Sequence, residues 1–140
     1  MSFIAWLAEL AYFMLPAYFA NMAPVLSRSY KHNFPLDFNI KLKGKALLGS
    51  HKTVLGALFG ILAAVLTAFI QYLVFTKTSF GLVDYSNWLT IGLLLGTGAI
   101  FGDAVKSFFK RRMNIKPGRP WIPFDEIDFT VGALVFVSFV

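Results

Sequence analysis

Asp103, Asp125 and Asp128 are the acidic side chains best placed to do chemistry in this sequence, because basic residues surround them in number. The stretch from Gly102 to Phe129 carries six of the thirteen Lys/Arg residues and four of the seven Asp/Glu residues. It holds Lys106, Ser107, Lys110, Arg111 and Arg112 between the first aspartate and the other two. Charge this dense between two apolar runs suits a highly charged substrate. Carboxylates beside a basic cluster point to metal-assisted phosphate chemistry, with the acids on a hard divalent ion and the cations on phosphate oxygens. Read as helix, Asp103, Lys106, Ser107 and Lys110 fall at i, i+3, i+4 and i+7, on one face. Asp125 and Asp128 share a face at the start of the next helix. Pro117-Gly118 and Pro120 break the chain between the two and let it fold back, so the three aspartates can meet near a membrane edge. Ordinary solvated charges at helix ends would give the same spacing, which leaves both readings open.

A second constellation is Leu48-Gly49-Ser50-His51-Lys52-Thr53. A Gly-Ser turn entering a helix N-terminus, with a lysine and a hydroxyl, can cradle phosphate. The GxxxxGK[ST] spacing of a Walker A loop is absent. The competing reading is an interfacial lysine that snorkels beside a helix cap. Asn21, between Pro16 and Pro24, lies in an apolar run that those prolines are expected to bend near it, and it either lines a polar cavity or bonds a carbonyl freed by Pro24. His32 and His51 form no HExxH pair, and the chain has no cysteine, which excludes disulfides and thiolate metal sites.

The elements that must position these residues are membrane helices. The 140 residues are 57% hydrophobic and only 14% charged, with a mean hydropathy of +0.66. Soluble domains average about 25% charged. A nucleic-acid module in water would not carry so apolar a sequence, although the net charge of +6 favours anionic partners. Apolar runs extend over about Phe3–Leu26, Thr53–Phe75 and Trp88–Phe101, and a last run starts at Phe129. Crossing the hydrocarbon takes about 20 helical residues. The expected fold is therefore all-α: a single integral membrane domain over residues 1–140, with three full spans and a partial fourth. The N-terminal run lacks a basic flank and contains Glu9, so it reads as a retained span. Gly56/Gly60 and Gly92/Gly96 are GxxxG pairs that allow close helix approach. Of the thirteen basic residues, all but Lys77 fall in the stretches 27–52 and 106–128. The positive-inside rule places both stretches in the cytoplasm, and the protein is expected in the cytoplasmic (plasma) membrane.

Taken together, these motifs resemble the CDP-archaeol synthase family, membrane CTP-dependent lipid cytidylyltransferases related to phosphatidate cytidylyltransferase. The resemblance rests on Pro16-Ala17-Tyr18-Phe19-Ala20-Asn21-Met22-Ala23-Pro24, on Gly49-Ser50-His51-Lys52-Thr53 with Gly56, and on Gly102-Asp103, Ser107, Lys110-Arg111-Arg112, Pro117-Gly118, Asp125 and Asp128-Phe129. It implies transfer of a cytidylyl group from CTP to an isoprenoid glycerol phosphate lipid, with pyrophosphate released and Mg2+ as cofactor. Asp103, Asp125 and Asp128 would hold the metal. Lys52, Lys110, Arg111 and Ser107 would act at the reacting phosphates, and Asn21, Ser50, Thr53 and Arg112 would bind substrate. The expected partners are CTP, an isoprenoid or acyl glycerol phosphate, the membrane and a second copy in a homodimer, with no nucleic acid. Two departures from the family pattern are Val54-Leu55, where a basic residue is frequent, and Glu126, where Gln is frequent. The family has about five spans, so the chain reads as stopping inside the fourth and is expected to show little activity by itself. Two alternatives are a phosphatidate cytidylyltransferase acting on fatty-acyl lipid and a non-catalytic membrane protein that binds anionic headgroups.

Overall fold

The computed structural model describes residues 2–29, 34–80, 83–116 and 118–139. His32 and Pro117, named above, and Lys31, one of the basic residues of the 27–52 stretch, lie outside them. Five α-helices make up most of the molecule: α1 (Phe3–Phe13), α2 (Leu15–Met22), α3 (Val54–Thr78), α4 (Trp88–Arg112) and α5 (Phe124–Val137). Short 3-10 turns at Ala23–Ser29 and Tyr85–Asn87 follow α2 and precede α4.

Helices α3 and α4, of 25 residues each, are long and apolar enough to cross a membrane. The pair from α1 to Ser27 passes the same test as one span bent by 42°. The bend lies at Met14, seven positions before the site expected from the sequence. Its cause is Pro16, which has no N–H to give the Tyr12 carbonyl four residues back. Gln71 of α3 supplies the missing donor, with Nε2 2.5 Å from Tyr12 O. That bond accounts for the polar residue in an otherwise apolar helix, where Gln71 is only 1% exposed. Helix α2 ends at Met22, and Pro24 is the second residue of the 3-10 turn that starts at Ala23. The last helix, α5, begins at Phe124, earlier than its apolar run, and its 14 residues span about 21 Å against about 30 Å of hydrocarbon.

The bundle packs through small residues. Ala17, Ala20, Ala64, Ala68, Ala99 and Ala133 are all buried, as membrane interfaces favour. Gly60 abuts Ala20 O, and Gly92 and Gly96 abut Val65 and Ala64, so these glycines of the two GxxxG pairs are used inside the chain. The tightest approach joins α4 to α5. A Cβ on Gly98 would lie 2.5 Å from Gly132 O, and one on Gly102 would overlap the carbonyl of Asp128.

One element departs from the all-α expectation. Lys41–Leu42 and Lys45–Ala46 form a two-stranded antiparallel hairpin. Lys43 and Gly44 turn it with φ of 52° and 78°, the paired positive values that suit a tight hairpin.

Candidate active site

All the sequence-derived site residues that come together do so at one end of the bundle, where the 34–53 segment meets the last turns of α4 and the start of α5. Thr53 starts α3: its hydroxyl accepts from Gly56 N at 3.1 Å. Two backbone bonds, Leu36 N to Lys52 O at 2.7 Å and Val54 N to Phe34 O at 2.9 Å, hold the preceding turn. Asp37, a residue the sequence reading passed over, ties the same turn down. It is 5% exposed and accepts from Asn39 N, Leu48 N and Gly49 N at 3.1, 2.9 and 3.2 Å. Burial pushes the Asp37 carboxyl up, but these N–H donors outweigh it and hold the group below the usual carboxylate range. Gly49 has φ of 103°, and the Arg111 side chain lies across the place where a Cβ would point. Another residue there would be strained by that φ, although a Cβ would meet the Arg111 side chain only at ordinary contact distance.

Helix α4 runs unbroken to Arg112, so Asp103, Lys106, Ser107 and Lys110 do share a face. The carboxylates and ammonium groups interlock. Lys52 pairs with Asp103 Oδ2. Lys106 Nζ lies 3.1 Å from Asp103 Oδ1, 3.1 Å from Asp125 Oδ1 and 2.7 Å from Asp128 Oδ2. Lys110 donates to both oxygens of Asp125 at 3.0 Å and to Arg119 O at 2.6 Å. Trp121 N also donates to Asp125, at 2.5 Å. Lys110 is thus committed to closing the chain after α4 back onto α5. The Asp128 side chain is 5% exposed, and its contact with Lys106 is not aligned as a hydrogen bond. Its Oδ1 has no hydrogen-bond partner among the described residues. Lys106, absent from the sequence-derived site list, is the centre of the network; its signal was the i+3 position after Asp103.

Three recesses meet at this network. A polar one of about 480 Å³ is lined by Gly49, His51, Lys52, Lys106, Ser107, Lys110 and Arg111. A smaller one of about 140 Å³ contains Asn21, Thr53, His51, Lys52 and Asp103. An apolar groove of about 430 Å³ runs between α4 and α5, walled by Phe101, Val105, Phe109, Ile127 and Val131, with Lys106 and Asp128 at its charged end. Ser50 is exposed on the turn. Arg112 faces elsewhere: it donates to Leu42 O at 2.8 Å and Ala46 O at 2.7 Å, and its guanidinium stacks 5.2 Å from the Phe108 ring. It pins the hairpin to the end of α4.

Among the described residues, no three acidic or histidine side chains form a ready metal cluster. The oxygen donors nonetheless suit a hard divalent ion, and Mg2+ commonly takes only one or two carboxylates, completing its shell with substrate phosphates and water. The orphaned Oδ1 of Asp128 is a donor atom of the right kind.

The family model for CarS-like CDP-archaeol synthase matches residues 3–140. The CDP-archaeol synthase of Methanococcus aeolicus is 35% identical, over 98% of this chain and 78% of the relative. That of Methanopyrus kandleri is 40% identical over 94% of this chain and 71% of the relative. A solved intramembrane enzyme for archaeal membrane lipids biosynthesis superimposes with a TM-score of 0.79 and 31% identity, covering 94% of this chain and 78% of the other.

Proposed function

The chain belongs to the CarS-like CDP-archaeol synthase family, and from that premise we propose how its charged end works. The protein is an integral membrane cytidylyltransferase that forms CDP-archaeol from CTP and an archaeal lipid phosphate. An oxygen of the lipid phosphate attacks the α-phosphorus of CTP. A new P–O bond forms, the bond from the α-phosphorus to its bridging oxygen breaks, and pyrophosphate leaves. Such chemistry needs positioning and charge stabilisation and no covalent nucleophile.

The polar recess takes the triphosphate. Lys52 and Arg111 bind its oxygens, and Ser107, His51 and the Gly49 backbone shape its wall. The apolar groove presents the lipid, with its phosphate at the Lys106–Asp128 end. Asp103 and Asp128 would hold Mg2+, with Asp125 supporting Lys106 and Lys110 behind them. When bound, Mg2+ offsets charge on the triphosphate and on the departing pyrophosphate. The charged end faces the cytoplasm, where CTP is made. One observation carries this reading: the basic recess and the apolar groove meet at Lys106, which lines both and pairs with Asp103, Asp125 and Asp128.

The test uses radiolabelled CTP with an isoprenoid glycerol phosphate in detergent micelles, and phosphatidate in parallel for tail preference. Lys52→Met and Arg111→Ala should each raise the KM for CTP about tenfold or more, the scale of a lost charged hydrogen bond, with the KM for lipid unchanged. A rise in the lipid KM alone would overturn the assignment of the polar recess.

A further inference from the structure

We propose that Lys106 is an internal cation that occupies the carboxylate site in the nucleotide-free enzyme and transfers to the triphosphate when CTP enters with its metal. The proposal rests on the reading that Asp103 and Asp128 are the metal-binding carboxylates.

The position of the ammonium carries the argument. An ammonium has three donors and no acceptor. Lys106 Nζ lies within 3.1 Å of an oxygen from each of Asp103, Asp125 and Asp128. It stands where these three carboxylates converge, which is where a cation bound by them would lie. With Lys52 on Asp103 and Lys110 on Asp125, three ammonium groups face three carboxylates, and the network is formally neutral. A divalent ion arriving alone gains little from a neutral network and is repelled by its lysines. CTP changes the balance because it brings several anionic oxygens to receive an ammonium.

Lys106 also has a path to move that Lys110 lacks. Its side chain borders both the polar recess and the apolar groove, so a change of rotamer carries Nζ from the carboxylates to the triphosphate without moving α4. Lys110 cannot follow, because its ammonium also holds Arg119 O and closes the loop. Asp128 is the second observation that points the same way. It is buried, its Oδ1 is unpartnered among the described residues, and Lys106 meets its Oδ2 out of line. Lys106 thereby becomes a catalytic residue of the nucleotide complex, and metal and nucleotide bind with positive coupling in both directions.

The test follows Mn2+ bound to the detergent-solubilised protein by electron paramagnetic resonance, with and without an unreactive CTP analogue bridged by α,β-methylene. Wild type should bind Mn2+ weakly alone and at least about tenfold more tightly with the analogue, within the usual range of coupling between sites. Lys106→Met should bind Mn2+ without nucleotide at least about tenfold more tightly than wild type and lose most of the coupling. Equal nucleotide-free affinity in wild type and variant overturns the exchange and leaves the metal reading standing. No protein-bound Mn2+ in any form, with or without analogue, overturns both. Should the variant not fold, wild type alone decides: binding of Mn2+ just as tight without the analogue as with it overturns the exchange.

Discussion

Asp37 and Asp128 are both buried acids, and their surroundings set them different tasks. Asp37 spends its oxygens on backbone N–H groups of the turn that carries Gly49 and Lys52. Its lowered pKa means that it stabilises the folded state fully above the ordinary carboxylate value of about 3.9. That stabilisation is lost as pH falls through the lower folded value. Asp37→Asn should therefore lower stability at neutral pH by about 1.5–3 kcal/mol and weaken the acid limb of a stability profile. Thermal melts at pH 7 and at about pH 3 check this, and a variant that keeps the wild-type acid limb contradicts it. Asp128, by contrast, keeps an oxygen unpartnered among the described residues at the charged end of the apolar groove. Asp128→Asn and Asp103→Asn should each cut cytidylyl transfer by at least about a hundredfold, the scale of one strong electrostatic contributor to a transition state. Near wild-type turnover in either variant would remove the metal role from that residue.

Between elements, the crossing of α4 and α5 sets the distances in the network. Gly98, Gly102 and Gly132 bring the two backbones together, and the carbonyl nearest Gly102 is that of Asp128 itself. Adding a methyl group there forces α5 outward and draws Asp128 away from Lys106 and Asp103. Gly102→Ala should cost about 1–3 kcal/mol, the usual range for overpacking, and should lower turnover as well. A thermal melt and the transfer assay measure the two effects, and a variant with wild-type values for both would show that the crossing tolerates the methyl. The hairpin depends on a different inter-element contact. Arg112 reaches from the last turn of α4 to three hairpin carbonyls, at Leu42, Lys45 and Ala46, and so fixes a segment that has only two residues per strand.

For the whole molecule, both lysine- and arginine-rich stretches converge on one end of the bundle. The hairpin touches Arg112, Gly49 and Arg111 line one recess, and Lys52 reaches Asp103. The single basic residue of the opposite turn, Lys77, lies at the other end of α3. This asymmetry favours retention of the charged end in the cytoplasm. Single cysteines placed at Lys43, Gly118 and Ser79, labelled from outside intact cells with an impermeant reagent, should react only at Ser79. Labelling at Gly118 with none at Ser79 would invert the orientation.

The sequence by itself determined the class of molecule and which residues share a face. Long apolar runs with few charges require membrane helices, and they located α3 and the start of α4 to within a few residues, while α4 continues as helix well beyond its apolar run to Arg112. The helical period placed Asp103, Lys106, Ser107 and Lys110 on one side, and the residue types around Thr53 announced a capped helix start. The family was legible from the order of its motifs. Tertiary structure alone decided how these faces meet. It put the bend at Met14, because Gln71, far along the chain, could satisfy the carbonyl that Pro16 leaves open. It made Asp37 an anchor of the Gly49 turn, and it turned Arg112 away from the recess. It also distinguished Lys106, at the convergence of three carboxylates, from Lys110, which is locked to a loop. Periodicity fixes direction around one helix axis, whereas the distance between Asp103 and Asp128 depends on how closely two backbones cross, and that depends on glycines packing against partners many residues away.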